Sequence, residues 1–187
     1  GAQPAADAGM KNIAVKLTEQ AIEALGGMKR FVSRGDVVWV KPNIGWDRTP
    51  ETAANTNPDV VATIIRMCFD AGAKTVKVGD NPCDVAEKTY QASGIADAAR
   101  AAGAKVVFLD RTRFKEANIG GEQVKSIPVY PEIMETDLVI NVPIAKHHSL
   151  ARLTLGLKNL MGTVLDRGKL HAAGLVRVLD IYGGLPV

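Results

Sequence analysis

The chain has 187 residues, 47% hydrophobic and 23% charged, which excludes wholesale disorder and a coiled coil and leaves enough apolar surface for one packed domain. The 23 Lys and Arg against 20 Asp and Glu give a net charge of +3, spread without a basic block, so no nucleic-acid partner is expected. No run of about 18 apolar residues is present, which removes a transmembrane helix from the reading. The two cysteines, Cys68 and Cys83, are too few for a disulfide scaffold or a four-cysteine metal site.

Residues 1–9 (GAQPAADAG) are small and Ala-rich, with no basic n-region or apolar h-region. They match what remains after an export signal is removed, so an exported, periplasmic location is favoured over the cytoplasm. Residues 1–17 read as an N-terminal tail or first strand, 18–166 as the α/β domain and 167–187 as a C-terminal segment. From Thr18 to Val32, Ala21, Ile22, Leu25, Met28 and Val32 recur at helical spacing, the buried stripe of a helix. Val37–Val40 is an all-apolar run of β-formers, as expected of a strand buried on both faces of a parallel sheet. Asn57 as N-cap, Pro58 at the first helical position and Asp59 in the first turn start a helix that runs to Ala71 and stops at Gly72.

A second strand is expected over Ala73–Val78, then a helical stretch from Val85 to Ala102 interrupted near Ser93-Gly94, then a third strand over Ala104–Leu109. The tetrapeptide Ala-Gly-Ala-Lys is written twice, at 71–74 and 102–105, marking one helix-to-strand corner used twice in a βαβ series. Arg111–Gly121 reads as a polar surface excursion and Gln123–Val129 as an edge strand, since Pro128 does not suit a central one. Asp137–Val142 is the fourth buried strand. Beyond Asp166 the chain reads as a loop, a short apolar segment and a frayed end. The fold class is therefore α/β: a mainly parallel sheet with helices on both faces, layered like a Rossmann fold but without a dinucleotide fingerprint.

No G-x-G-x-x-G, Walker A, H-E-x-x-H or G-x-S-x-G pattern occurs, which disfavours dinucleotide and P-loop chemistry. Ligand crevices of open parallel sheets lie outside the carboxyl ends of the strands. Lys41 and Asn43 follow the first strand, Asp80, Asn81 and Cys83 the second, and Lys146, His147 and His148 the fourth. Lys158 and Asn159 add a second amine and amide, or else form the polar face of a helix. Lys41 either contacts a ligand or snorkels to solvent, and Asp80 either belongs to the site or closes an Asx turn. Adjacent histidines alternate in direction when extended, so at most one of His147 and His148 faces the crevice. Asp80, His147 and His148 are the candidate metal ligands; with Lys158 they are the candidate acid-base groups, while Lys41, Asn43, Lys146 and Asn159 are the candidate ligand contacts. Cys83 reads as a passive loop cysteine and Cys68 as a core residue.

Several of these segments carry a family resemblance. Val-Lys-Pro-Asn-Ile-Gly-Trp-Asp (40–47), Val-Gly-Asp-Asn (78–81), Tyr-Gln-Ala-Ser-Gly-Ile (90–95), Asp-Leu-Val-Ile-Asn-Val-Pro-Ile-Ala-Lys-His-His (137–148) and Thr-Leu-Gly-Leu-Lys-Asn-Leu-Met-Gly (154–162) together resemble the domain-of-unknown-function family 362 (DUF362). The resemblance runs from about Ala21 to Gly162. It implies an α/β fold and, in some relatives, an iron–sulfur or ferredoxin-type cysteine module or a twin-arginine export signal. No cysteine cluster able to hold an iron–sulfur centre occurs in this chain, and the region after Asp166 is shorter than the family's usual second half.

The site reading that follows is a protein whose strand-end crevice binds a divalent metal or a small anionic molecule, as an enzyme or as an accessory to a redox partner protein. The alternative is a non-catalytic binding or assembly module.

Overall fold

The computed structural model describes residues 3–121, 124–149 and 152–172. Its centre is a four-stranded sheet in the order β3-β2-β1-β6, parallel at every pairing. The strands are β1 (Val37–Pro42), β2 (Thr75–Val78), β3 (Lys105–Val106) and, later in the chain, β6 (Leu138–Val142). β1 and β2 are linked through helix α2 (Pro58–Ala71), and β2 and β3 through the short helices α3 (Ala86–Ala92) and α4 (Ile95–Ala101), as parallel neighbours require. The interruption at Ser93-Gly94 stands where the sequence puts it.

Alternation along β1 divides its side chains between two cores. Val38 and Val40 join Ile64, Ile65, Cys68, Val76, Val78 and Tyr90 beneath the helices, whereas Trp39 packs on the opposite face with Ile127, Tyr130, Ile133, Val139 and Leu160. With both faces covered, β1 has no polar position from Val37 to Val40, which is why that stretch is a continuous apolar run, and its first polar residue, Lys41, comes only at the carboxyl end.

Local signals explain the helix ends. Asn57 Oδ1 accepts from the N–H groups of Asp59 (2.8 Å) and Val60 (3.3 Å), satisfying two orphan donors of α2. The two Ala-Gly-Ala-Lys corners are the same structure. Gly72 and Gly103 have φ of +111° and +93°, and the following alanines donate back to Cys68 O and Ala99 O at 3.0 Å each, the six-to-one bond of a Schellman ending.

Several expectations change. Residues 3–17 are neither tail nor strand: helix α1 spans Gln3–Ala24, so the helix expected over 18–32 begins earlier and ends before Gly26-Gly27, with a separate 3-10 turn at Met28–Arg30. The third strand holds two residues instead of six, because the Val107 carbonyl faces the Tyr90 hydroxyl at 3.1 Å and the chain turns off the sheet. The polar excursion contains β4 (Lys115–Asn118), which pairs antiparallel with β5 (Ser126–Val129) as a hairpin apart from the main sheet. Helix α5 (Pro131–Met134) follows it. After β6 come a second hairpin, β7 (Lys146–His148) with β8 (Arg152–Thr154), and α6 (Gly156–Asn159). Arg167–Ala172 forms α7 where a loop was expected, and residues 173–187 lie outside the described residues.

Candidate functional site

The strand order creates a switch point. The chain builds outward from β1 to β2 to β3, then returns to place β6 on the other side of β1. Connections leaving β1 and β6 diverge, opening a crevice at the carboxyl edge. A cavity of about 330 Å³ lies there, lined by residues that include Lys41, Asn43, Asp80, Lys146, His148 and Lys158.

Lys41 and Asp80 form its floor. Lys41 is the last residue but one of β1, Asp80 stands two residues past β2, and Lys41 Nζ lies 2.7 Å from Asp80 Oδ1 with both side chains buried. Lys41 also donates to Pro42 O (2.8 Å) and Asn159 Oδ1 (3.1 Å). Asp80 accepts the N–H groups of Ile44 on Oδ2 (2.7 Å) and Asn81 on Oδ1 (3.0 Å). Burial pushes the Lys41 ammonium below its ordinary pKa, and the Asp80 carboxylate opposes that push. A buried pair of this kind is tolerable only when its remaining hydrogen-bonding capacity is met. Here backbone donors and an amide do so.

The amides extend this net. Asn159 Nδ2 donates to Lys41 O (3.1 Å) and Asn141 Oδ1 (2.8 Å), and its Oδ1 accepts from Asn43 Nδ2 (3.0 Å). Lys146 Nζ donates to Asn43 Oδ1 (3.0 Å) and to Ala54 O. The loop after β1 is held by Asn55, whose Oδ1 takes the N–H groups of Gly45 and Trp46 at 2.9 and 3.0 Å, and by Thr56, whose hydroxyl joins Asn43 N to Val142 O. Below it, the Tyr90 hydroxyl accepts from Asp80 N–H and lies 2.7 Å from Asp80 O.

Hairpin alternation decides the histidines. Lys146 opposes Thr154, and His147 opposes Leu153. The first pair faces inward and the second outward, so His148 lines the cavity and His147 is exposed. His147 as a cavity residue is therefore corrected, for the reason of strand geometry that allowed one histidine at most. Among the described residues no three His, Cys, Asp or Glu side chains are grouped so as to hold a metal. Asp80 already accepts on both oxygens.

Sequence reasoning missed Thr154, Arg167 and Gly162. Thr154 and Gly162 sit inside the 154–162 motif, but nothing in their residue types signals a cavity wall. Arg167 follows Asp166, where a loop was read. It bonds Pro82 O (2.9 Å) and Asn81 O (3.4 Å) and lies 3.3 Å from Cys83 Sγ. Gly162 donates space: a Cβ there would meet Asp80 Oδ1 at 1.7 Å and Lys41 Nζ at 2.7 Å. Its carbonyl accepts Asn81 N–H at 2.9 Å. Cys68 and Cys83 are both free thiols, one buried and one exposed.

The profile of the domain of unknown function DUF362 matches residues 38–179. The chain belongs to that family. It is 32% identical over 149 residues to the thylakoid-associated protein sll1697 of Synechocystis sp., an alignment covering 79% of this chain and 45% of that protein. The chain thus spans about half the length of this DUF362 relative.

Proposed function

We propose that the carboxyl-edge crevice binds a small, multiply charged anion. The observation that carries this reading is the charge of the cavity wall. Among the described residues, Lys41, Lys146, Lys158 and Arg167 line it with a single carboxylate, Asp80, and that carboxylate is already paired with Lys41. Lys146, Lys158 and Arg167 therefore stand without a compensating acid in the wall. Burial lowers the pKa of Lys146 and of Lys158, so each lysine ammonium is held partly desolvated, where an anion attracts it more strongly than in bulk water. Asp80, Lys41 and Asn159 shape the floor, while Lys158, Arg167 and His148 meet the ligand.

The metal reading has less support, because its three candidate ligands are not gathered at one point among the described residues. Titration calorimetry in chloride buffer, with inorganic phosphate and small di- and tricarboxylates as probes, tests the proposal. Saturable one-to-one binding is expected, lost in Lys158→Met and Arg167→Met. Absence of saturable binding for every probe would sink it.

A further inference from the structure

Thr154 is 3% exposed, and its hydroxyl is the buried side-chain oxygen that lacks a hydrogen-bond partner among the described residues. A buried hydroxyl left unpaired has lost its water without a replacement, and such an atom calls for a missing partner. The residue is the inward member of β8: its neighbours Leu153 and Leu155 are exposed, it stands opposite Lys146, and it lines the cavity. Lys158, four residues on, has no hydrogen-bond or salt-bridge partner among the described residues. An open hydroxyl and an open ammonium thus share a wall with the cations Lys146 and Arg167.

We infer that Thr154 and Lys158 recognise the phosphoryl group of a phosphate, most simply a small phosphate monoester. The inference rests on the anion-binding reading and narrows it. Charge is the first ground. Three cations remain after Lys41 and Asp80 cancel, a dianion answers them better than a monocarboxylate, and a phosphate monoester carries roughly −1.5 to −2 at neutral pH. Geometry is the second. The donors come from four elements, Lys146 on β7, Thr154 on β8, Lys158 on α6 and Arg167 on α7. Donors converging from several directions match the three terminal oxygens of a tetrahedral group, whereas a planar carboxylate is better matched by a fork in one plane. Size is the third: at about 330 Å³ the cavity has the dimensions of a small-molecule site and leaves space beside the phosphoryl group, against Trp46 and Met161.

Calorimetry with glycerol 3-phosphate, inorganic phosphate and succinate on wild type, Thr154→Val and Thr154→Ser tests it. Wild type is expected to bind the two phosphates more tightly than succinate. Thr154→Val should weaken phosphate binding roughly tenfold or more, the scale of one hydrogen bond to a charged group, and Thr154→Ser should restore it. The ligand-free melting temperature of Thr154→Val should not fall, since valine removes an unpaired oxygen and keeps the shape. Tighter binding of glycerol 3-phosphate than of inorganic phosphate identifies a monoester as the source, and equal binding identifies free phosphate. If wild type binds anions but Thr154→Val binds phosphate as tightly, or succinate matches the phosphates, the phosphoryl assignment is overturned and the broader anion reading stands. If no anion saturates, both fall.

Discussion

Replacing Gly162 with alanine tests whether the close approach of the 160–163 turn organises the site. The new Cβ would lie 1.7 Å from Asp80 Oδ1, 2.9 Å from Asp80 Cγ and 2.7 Å from Lys41 Nζ. None of these atoms can swing aside freely. The carboxylate is pinned by Ile44 and Asn81 N–H, and the ammonium by Pro42 O and Asn159. Either the ion pair opens, at about 3–5 kcal/mol for a broken buried pair, or the turn lifts. Lifting costs an overpacking term of about 1–3 kcal/mol and the bond from Asn81 N–H to Gly162 O, itself about 1 kcal/mol. The cheaper route sets the loss at about 2–4 kcal/mol, a fall of roughly 10 °C in melting temperature for a chain of this size.

Urea titration of Gly162→Ala beside wild type measures it, with Gly9→Ala as control, because nothing lies within 4 Å of a Cβ at Gly9. The same substitution in an Asp80→Ala background should cost far less, since the clashing carboxylate is gone and contacting residues are not additive. A Gly162→Ala protein within about 0.5 kcal/mol of wild type, the ordinary range for a surface change, would refute the reasoning.

Tyr90→Phe should lose about 1–3 kcal/mol in urea titration, because it strips the buried hydroxyl that holds Asp80 and Val107 and leaves their polar groups unmet; an unchanged midpoint contradicts this. Burial raises the Cys68 thiol from 9.0 to about 12, so its contribution to stability is complete below pH 9.0 and is lost as pH rises from there to about 12. Wild type should therefore lose stability with pH more steeply than Cys68→Ala in that window, and parallel slopes would count against a protonated core thiol. Iodoacetamide should alkylate the exposed Cys83 in the native protein and Cys68 only after unfolding, as read by mass spectrometry; equal native rates would contradict the placement of Cys68.

Strand β1 was legible because burial on both faces leaves a plain apolar signature, β2, β3 and β6 because short runs of β-formers follow turn or helix-end residues, and α2 because Asn57 and Pro58 each carry one local meaning. The order of those strands was not. Periodicity records how a strand is buried but not which neighbour it meets, so the placement of β6 beside β1, which opens the crevice, came from the structure alone. The edge strand read over Gln123–Val129 is β5 (Ser126–Val129), but its partner β4 escaped because its polar residues Lys115, Glu116 and Asn118 do not show the apolar alternation that marks a strand. Lys41, Asn43, Asp80 and Lys146 were findable by their position past the ends of the expected strands, whereas Lys158, on α6, was singled out only as an amine beside Asn159. Thr154 was not, because a threonine between leucines reads as an ordinary strand residue until its hydroxyl is found unpaired.

The cavity divides its charges between two tasks, and burial separates them. Lys41 and Asp80 are enclosed by backbone and amide partners, so their attraction is spent on tying the ends of β1 and β2 to the turn at Gly162. Such a pair is weak evidence of stability for its own sake, since apolar replacements of similar shape are often as good. What an apolar replacement could not do is collect Ile44 N–H, Asn81 N–H and the Asn159 amide around one point. Those contacts fix the floor. Lys158 and Arg167 stand in the wall above it, half-buried, and among the described residues the wall holds no carboxylate but Asp80, so a bound anion would gain from every charge the floor does not use. A substitution in the floor should therefore act on folding first and on binding as a consequence, whereas Lys158→Met should abolish binding and leave the unfolding midpoint nearly unchanged. The opposite order of effects, a Lys158 variant that unfolds early or an Asp80→Asn variant of full stability, would reverse the two roles.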